Sequence, residues 1–104
     1  MNTRRCIAAA ALAAASLGAQ ADDREAGRKL FTSGAAPSCA TCHTLRDAGA
    51  TGEIGPVLDE LKPDEARVVQ ALRNGLGVMP SFRDKLSDNE IALLARYVSQ
   101  VAGR

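Results

Sequence analysis

The 104-residue chain has no tryptophan, two phenylalanines, one tyrosine and one histidine. Phe31, Phe82 and Tyr97 are its only large rings, so the polypeptide alone has little bulky material around which to close a core. It also lacks any run approaching the roughly 20 apolar residues of a transmembrane helix, the longest being about a dozen between Ile7 and Gly18. No block of one charge occurs: 13 basic residues stand against 12 acidic ones and are interspersed with them, which leaves no basic face for nucleic acid. Strand-like alternation of apolar and polar residues is missing as well.

Against these absences stands one dense motif, Cys39-Ala40-Thr41-Cys42-His43. C-x-x-C-H is the attachment signature of c-type haem, two thiols for thioether bonds and an imidazole for the iron. Three other chemistries use part of it. A disulfide oxidoreductase sets C-x-x-C in a βαβ context, for which the flanking sequence has no strands. Structural zinc needs four protein ligands, and no second Cys or His pair completes Cys39, Cys42 and His43. A plain disulfide across two residues closes too short a loop to stabilise much. Covalent haem is the expectation, with Cys39 and Cys42 as thioether residues and His43 as an axial iron ligand.

The N-terminus is consistent with this chemistry. Arg4 and Arg5, the apolar run, and Ala19-Gln20-Ala21 form the three parts of a secretory signal. Residues 1–21 are expected to be cleaved, leaving residues 22–104 as a single domain without a membrane anchor. The alternative is an uncleaved anchor, for which the apolar run is short. Cleavage discards Cys6, so that Cys39 and Cys42 are the only cysteines left, and takes the net charge from +1 to about −1. A domain this small usually needs a staple. A porphyrin burying several hundred Å² contributes on the order of 10 kcal/mol at about 25 cal/mol per Å².

The pattern predicts helices joined by loops. Acidic Asp22-Asp23-Arg24-Glu25 opens a short helix carrying Gly27, Leu30 and Phe31, which stops at Ser33-Gly34. Residues 45–62, with Gly49, Gly52, Gly55 and Pro56, are expected to be irregular and to cover a flat ligand. Pro63 is expected to begin a second helix that ends at Asn74-Gly75. Ser87-Asp88-Asn89-Glu90 is a capping box before Ile91, Leu94, Ala95, Val98, Val101 and Ala102 at helical spacing. No strand is expected.

Helix, haem motif, glycine-rich loop, helix, Met79-Pro80 and terminal helix, in that order, resemble a class I monohaem cytochrome c over the whole of residues 22–104. The resemblance implies an all-α fold of three to four helices wrapped around one covalent haem c. It implies that the backbone carbonyl of Pro56 orients His43, and that Gly27, Phe31, Leu94 and Tyr97 form a crossing of the terminal helices. Met79 is the expected sixth ligand, since after signal removal it is the only Met and His43 the only His. A methionine filling a core gap is the competing reading. Arg46, Arg73 and Arg83 are all candidates for the haem propionates.

With both axial positions filled, the expected function is one-electron transfer in the bacterial periplasm rather than catalysis: electrons from a dehydrogenase, passed to a downstream cytochrome or oxidase. Gly52–Pro56 and Asn74–Phe82 look like the haem subunits of periplasmic molybdenum sulfite dehydrogenases, which offers a dedicated subunit as the alternative to a free shuttle. Only Lys29, Lys62 and Lys85 remain as lysines, too few for a broad steering ring, so a more apolar docking face around Gly77, Val78 and Pro80 is expected. The reading from a different class is a gas sensor or peroxidase with a labile Met79. A peroxidase needs distal acid–base groups, and the single histidine is already assigned to the proximal side.

Overall fold

The computed structural model describes residues 17–104. Helix α1, residues 17–29, passes in continuous helical conformation through the expected boundary between Ala21 and Asp22, and residues 17–25 are all exposed. Residues 1–16 of the expected signal, with Cys6, lie outside the described residues. The helix widens into a π turn over Leu30–Gly34. There the Thr32 hydroxyl donates to the Arg28 carbonyl at 3.0 Å and that of Ser33 to Lys29 at 3.3 Å, the back-bonding that loosens a helix near its end.

Four further helices follow among the described residues: α2 (Cys39–Cys42), α3 (Leu58–Leu61), α4 (Glu65–Asn74) and α5 (Asp88–Val101). Two of them, α2 and α3, are single turns, so the frame is the expected all-α one of three long helices. Ser87 caps α5 with a complete capping box: its side chain accepts from the Glu90 amide at 3.1 Å, and Glu90 accepts from the Ser87 amide at 2.9 Å. The second long helix starts at Glu65 rather than at Pro63. Asp64 provides the reason, because its carboxylate accepts from the Arg67 amide at 2.8 Å and fixes the N-cap there.

Residues 45–62 are more ordered than expected. Strands β1 (Thr44–Leu45) and β2 (Ala50–Thr51) pair antiparallel, Thr44 opposite Thr51 and Leu45 opposite Ala50. A 3-10 turn, Arg46–Ala48, joins them, and Gly49 at φ +64° closes it. The expectation of no strand fails because two residues per strand leave no alternation to detect, and the left-handed glycine sets the reversal. Asp59 in α3 is buried, and both its oxygens are satisfied: Oδ2 accepts from the Arg46 amide and Oδ1 from the Gly103 amide, each at 2.9 Å.

The core includes Phe31, Leu45, Leu72, Phe82, Leu86, Ile91, Leu94, Tyr97, Val98 and Val101, with α5 its largest contributor. Helices α1 and α5 meet at Gly27, where an added Cβ would lie 2.3 Å from the Cβ of Tyr97, so only glycine permits the approach. Phe31 and Tyr97 pack edge to face with centroids 6.3 Å apart. The Tyr97 hydroxyl donates to Asp47 at 2.7 Å, and Arg28 donates to the same carboxylate oxygen at 3.0 Å. Burial and the adjacent carboxylate push the Tyr97 hydroxyl far above its ordinary pKa, so it stays a donor.

Candidate functional site

The cysteines sit on a single helical turn that Ser38 initiates. Its hydroxyl accepts from the Ala40 amide at 3.3 Å and is itself 2.8 Å from the Thr32 carbonyl, tying the turn to the end of the π segment. At i and i+3 on α2, Cys39 and Cys42 lie on one side of the turn. Both are half-buried. Burial pushes the Cys39 thiol up to about 11, so it is protonated at neutral pH. An oxidoreductase C-x-x-C does the reverse and holds its leading cysteine as a thiolate.

His43 caps the turn. Its amide donates to the Cys39 carbonyl at 3.0 Å, and its extended backbone turns the chain out of the helix. The other wall is the glycine loop. Gly52 donates to the His43 carbonyl at 3.2 Å and Gly55 to the Cys42 carbonyl at 2.6 Å, while Thr44 donates its hydroxyl to the Gly52 carbonyl at 3.0 Å. A Cβ at Gly52 would lie 2.6 Å from the Cys42 carbonyl carbon and the His43 amide nitrogen, and one at Gly55 would lie 2.6 Å from the imidazole Cε1. The ring thus rests against bare backbone.

His43 Nδ1 lies 2.7 Å from the Pro56 carbonyl oxygen. A carbonyl only accepts, so Nδ1 carries a proton, which is the arrangement that leaves Nε2 to face a metal.

Met79 belongs to a tight reversal. Leu76 and Met79 exchange backbone hydrogen bonds, both at 3.0 Å, around Gly77 at φ +58°. Met79 is half-buried and packs on the core, as does Cys39, whereas Leu76 and Val78 on either side are 74% and 89% exposed. Of the arginines, Arg73 faces Asp88 at 3.5 Å, Arg83 donates to the Asn74 side chain at 3.2 Å, and Arg46 is held through its backbone amide by Asp59. Sequence reasoning passed over Ser38, Asp59 and Ser81. Ser38 could have been found as a cap two residues before the Ala40 amide, while Asp59 looks in sequence like any acid in a helix's first turn.

No cluster of three or more His, Cys, Asp or Glu side chains suited to a bare ion occurs among the described residues. The donor set instead fits a tethered macrocycle: two thiols one turn apart, an imidazole with its outer nitrogen bound, and a glycine wall with no side chains in the way.

Known proteins agree with that chemistry. Residues 22–98 match the family described as cytochrome c oxidase, cbb3-type, subunit III. The chain is 32% identical to cytochrome c6 of Diacronema lutheri over 82 residues, covering 74% of this chain and 94% of that one. It is 30% identical to cytochrome c-551 of Halorhodospira halochloris over 74 residues, 69% and 92% of the two chains. Among solved structures, the c-type cytochrome SorU from Sinorhizobium meliloti superposes with a TM-score of 0.76 at 53% identity, covering 80% of this chain and 94% of that one. The fold and site define a small c-type cytochrome, an electron carrier with one covalent haem c and redox proteins for partners. Within that class, the chain belongs to the class I monohaem cytochrome c family matched by these relatives.

Proposed function

We propose that the protein is an exported one-electron carrier whose haem is tethered by Cys39 and Cys42 and whose iron is held by His43 and Met79. The observation that supports this reading best is the 2.7 Å contact from His43 Nδ1 to the Pro56 carbonyl, which engages one ring nitrogen and leaves Nε2 for a metal. The haem supplies a ferric/ferrous couple. The chain's own residues would hold it: Cys39 and Cys42 by tethering, His43 as an imidazole oriented by Pro56, and Met79 by its thioether, with no protein-free position for a substrate. A thioether on the second face favours the ferrous state and raises the potential, which suits accepting electrons from a dehydrogenase and passing them to a downstream cytochrome or oxidase.

Export rests on the signal-like residues 1–21. The family match begins at residue 22, and the exposure of residues 17–25 means that cleavage after Ala21 uncovers no core. Among the described residues no helix is long and apolar enough to cross a membrane. Residues 22–104 then act as a single periplasmic domain.

A second reading, a dedicated haem subunit of a periplasmic molybdenum sulfite dehydrogenase, is favoured by the exposed apolar side chains Leu76 and Val78 flanking Met79. Such a face suits one specific partner better than many acidic ones. Copurification with a molybdenum enzyme supports the subunit, and rapid exchange with several acceptors supports the shuttle.

The ligand assignment is tested by optical spectra of the periplasmic protein in both redox states. The expected result is a weak near-infrared methionine-to-ferric-iron band that Met79→Ala abolishes, with CO binding to the reduced variant but not to the reduced wild type. CO binding to wild type reopens the gas-sensor reading.

A further inference from the structure

The Met79 reversal is fastened at its exit to the end of α4, and one side chain makes the fastening. The Ser81 hydroxyl donates to the Arg73 carbonyl at 2.5 Å and accepts from the Arg83 amide at 3.2 Å. It therefore bridges a carbonyl in the last turn of α4, which has no partner further along the helix, and the chain two residues beyond itself. The neighbouring contacts are weaker levers. The Phe82 amide bonds the Leu72 carbonyl at 2.7 Å through backbone alone, and the Arg83 guanidinium reaches Asn74 at 3.2 Å through two long, rotatable side chains. At the entry to the same loop, Gly75 at φ +71° brings backbone so close that a Cβ there would lie 2.8 Å from the Met79 carbonyl oxygen. Entry is set by a glycine no other residue replaces without strain, and exit by a hydroxyl.

We propose that Ser81 is a positioning residue for the Met79 thioether: by joining Arg73 to Arg83 it holds the loop shut and limits the fraction of molecules in which Met79 has left the iron. The inference rests on Met79 ligation. An external ligand binds only the open fraction, so its apparent affinity measures that fraction directly.

The test is an imidazole titration of the ferric holoprotein, followed at the methionine band, for wild type, Ser81→Ala and Ser81→Thr. Loss of one net hydrogen bond predicts about five- to tenfold tighter apparent imidazole binding in Ser81→Ala. Ser81→Thr, which keeps the hydroxyl, is expected to restore wild-type affinity. Asp59→Asn serves as the control for general weakening, since it loosens the fold at Arg46 and Gly103 and not at this loop. Unchanged imidazole affinity in Ser81→Ala, or equal tightening in Asp59→Asn, overturns the proposal while leaving Met79 as ligand. Absence of the methionine band from wild type overturns the ligation reading itself, and this inference with it.

Discussion

His43 is surrounded by backbone, with Pro56 accepting from its ring, Gly55 lying against the ring face, and Gly52 bonded to its carbonyl. Met79, by contrast, rides on a four-residue reversal whose fastenings run mainly to one helix end and whose flanking side chains stand in solvent. Contacts made by backbone have no rotamers to lose, while those of an exposed hydroxyl must order a side chain and compete with water. The two sites therefore differ in kind. His43 is preorganised as part of the fold, whereas Met79 sits on a latch of limited strength.

The most damaging way to break the contrast is to put a side chain into the proximal wall. Gly55→Val forces the imidazole off its carbonyl, and overpacking plus the lost hydrogen bond predicts about 3 kcal/mol of destabilisation, with a lower haem-to-protein ratio. Thermal melts and a haem assay check both. A loss no larger than that of Ser81→Ala would show that the proximal side is not the stiffer one.

A smaller effect is expected one layer out. Asp59→Asn replaces one of two acceptor oxygens with a donor facing a backbone N–H, which predicts about 2 kcal/mol of destabilisation. Urea unfolding gives the number, and an unchanged midpoint would mean that α3 and the C-terminus do not support the ribbon carrying His43.

The smallest effect is electrostatic. Burial opposes charge on Asp47, but hydrogen bonds from Tyr97 and Arg28 outweigh it and hold the carboxyl below the usual range. A carboxyl with a depressed folded-state pKa contributes its stability above the unfolded value of about 3.9 and loses it as the pH falls through the folded value. Melting temperatures of wild type and Asp47→Asn should therefore converge as the pH drops below about 4, where the wild-type advantage is protonated away. Parallel curves down to pH 2 would remove Asp47 from the account.

The parts legible in the sequence are those written in local chemistry. The α5 capping box, the stop at Asn74-Gly75 and the C-x-x-C-H turn each depend on residues within a few positions of one another. The start of α4 was misjudged because proline is a permitted first residue, whereas Asp64 makes an actual hydrogen bond. The β1–β2 ribbon was hidden because two-residue strands show no alternation. The role of Asp59 was hidden because its partners lie at Arg46 and Gly103, and no periodicity connects residues so far apart in sequence. Ser81 lies within the Asn74–Phe82 segment, but nothing in the sequence distinguishes a serine that bonds a distant carbonyl from one that bonds water.

The Arg28–Asp47–Tyr97 cluster has a consequence in time as well as in space. Its bonds join residues separated by 19 and 50 positions, reaching from the first helix through the turn after β1 to the last helix. Closing loops of that length comes late in folding, because chain entropy is spent before the contact returns anything. In a nascent chain, Asp47 waits for a partner that emerges fifty residues behind it. The C-x-x-C-H turn, complete within five residues, closes a far shorter loop and so forms while the terminal helices are still apart.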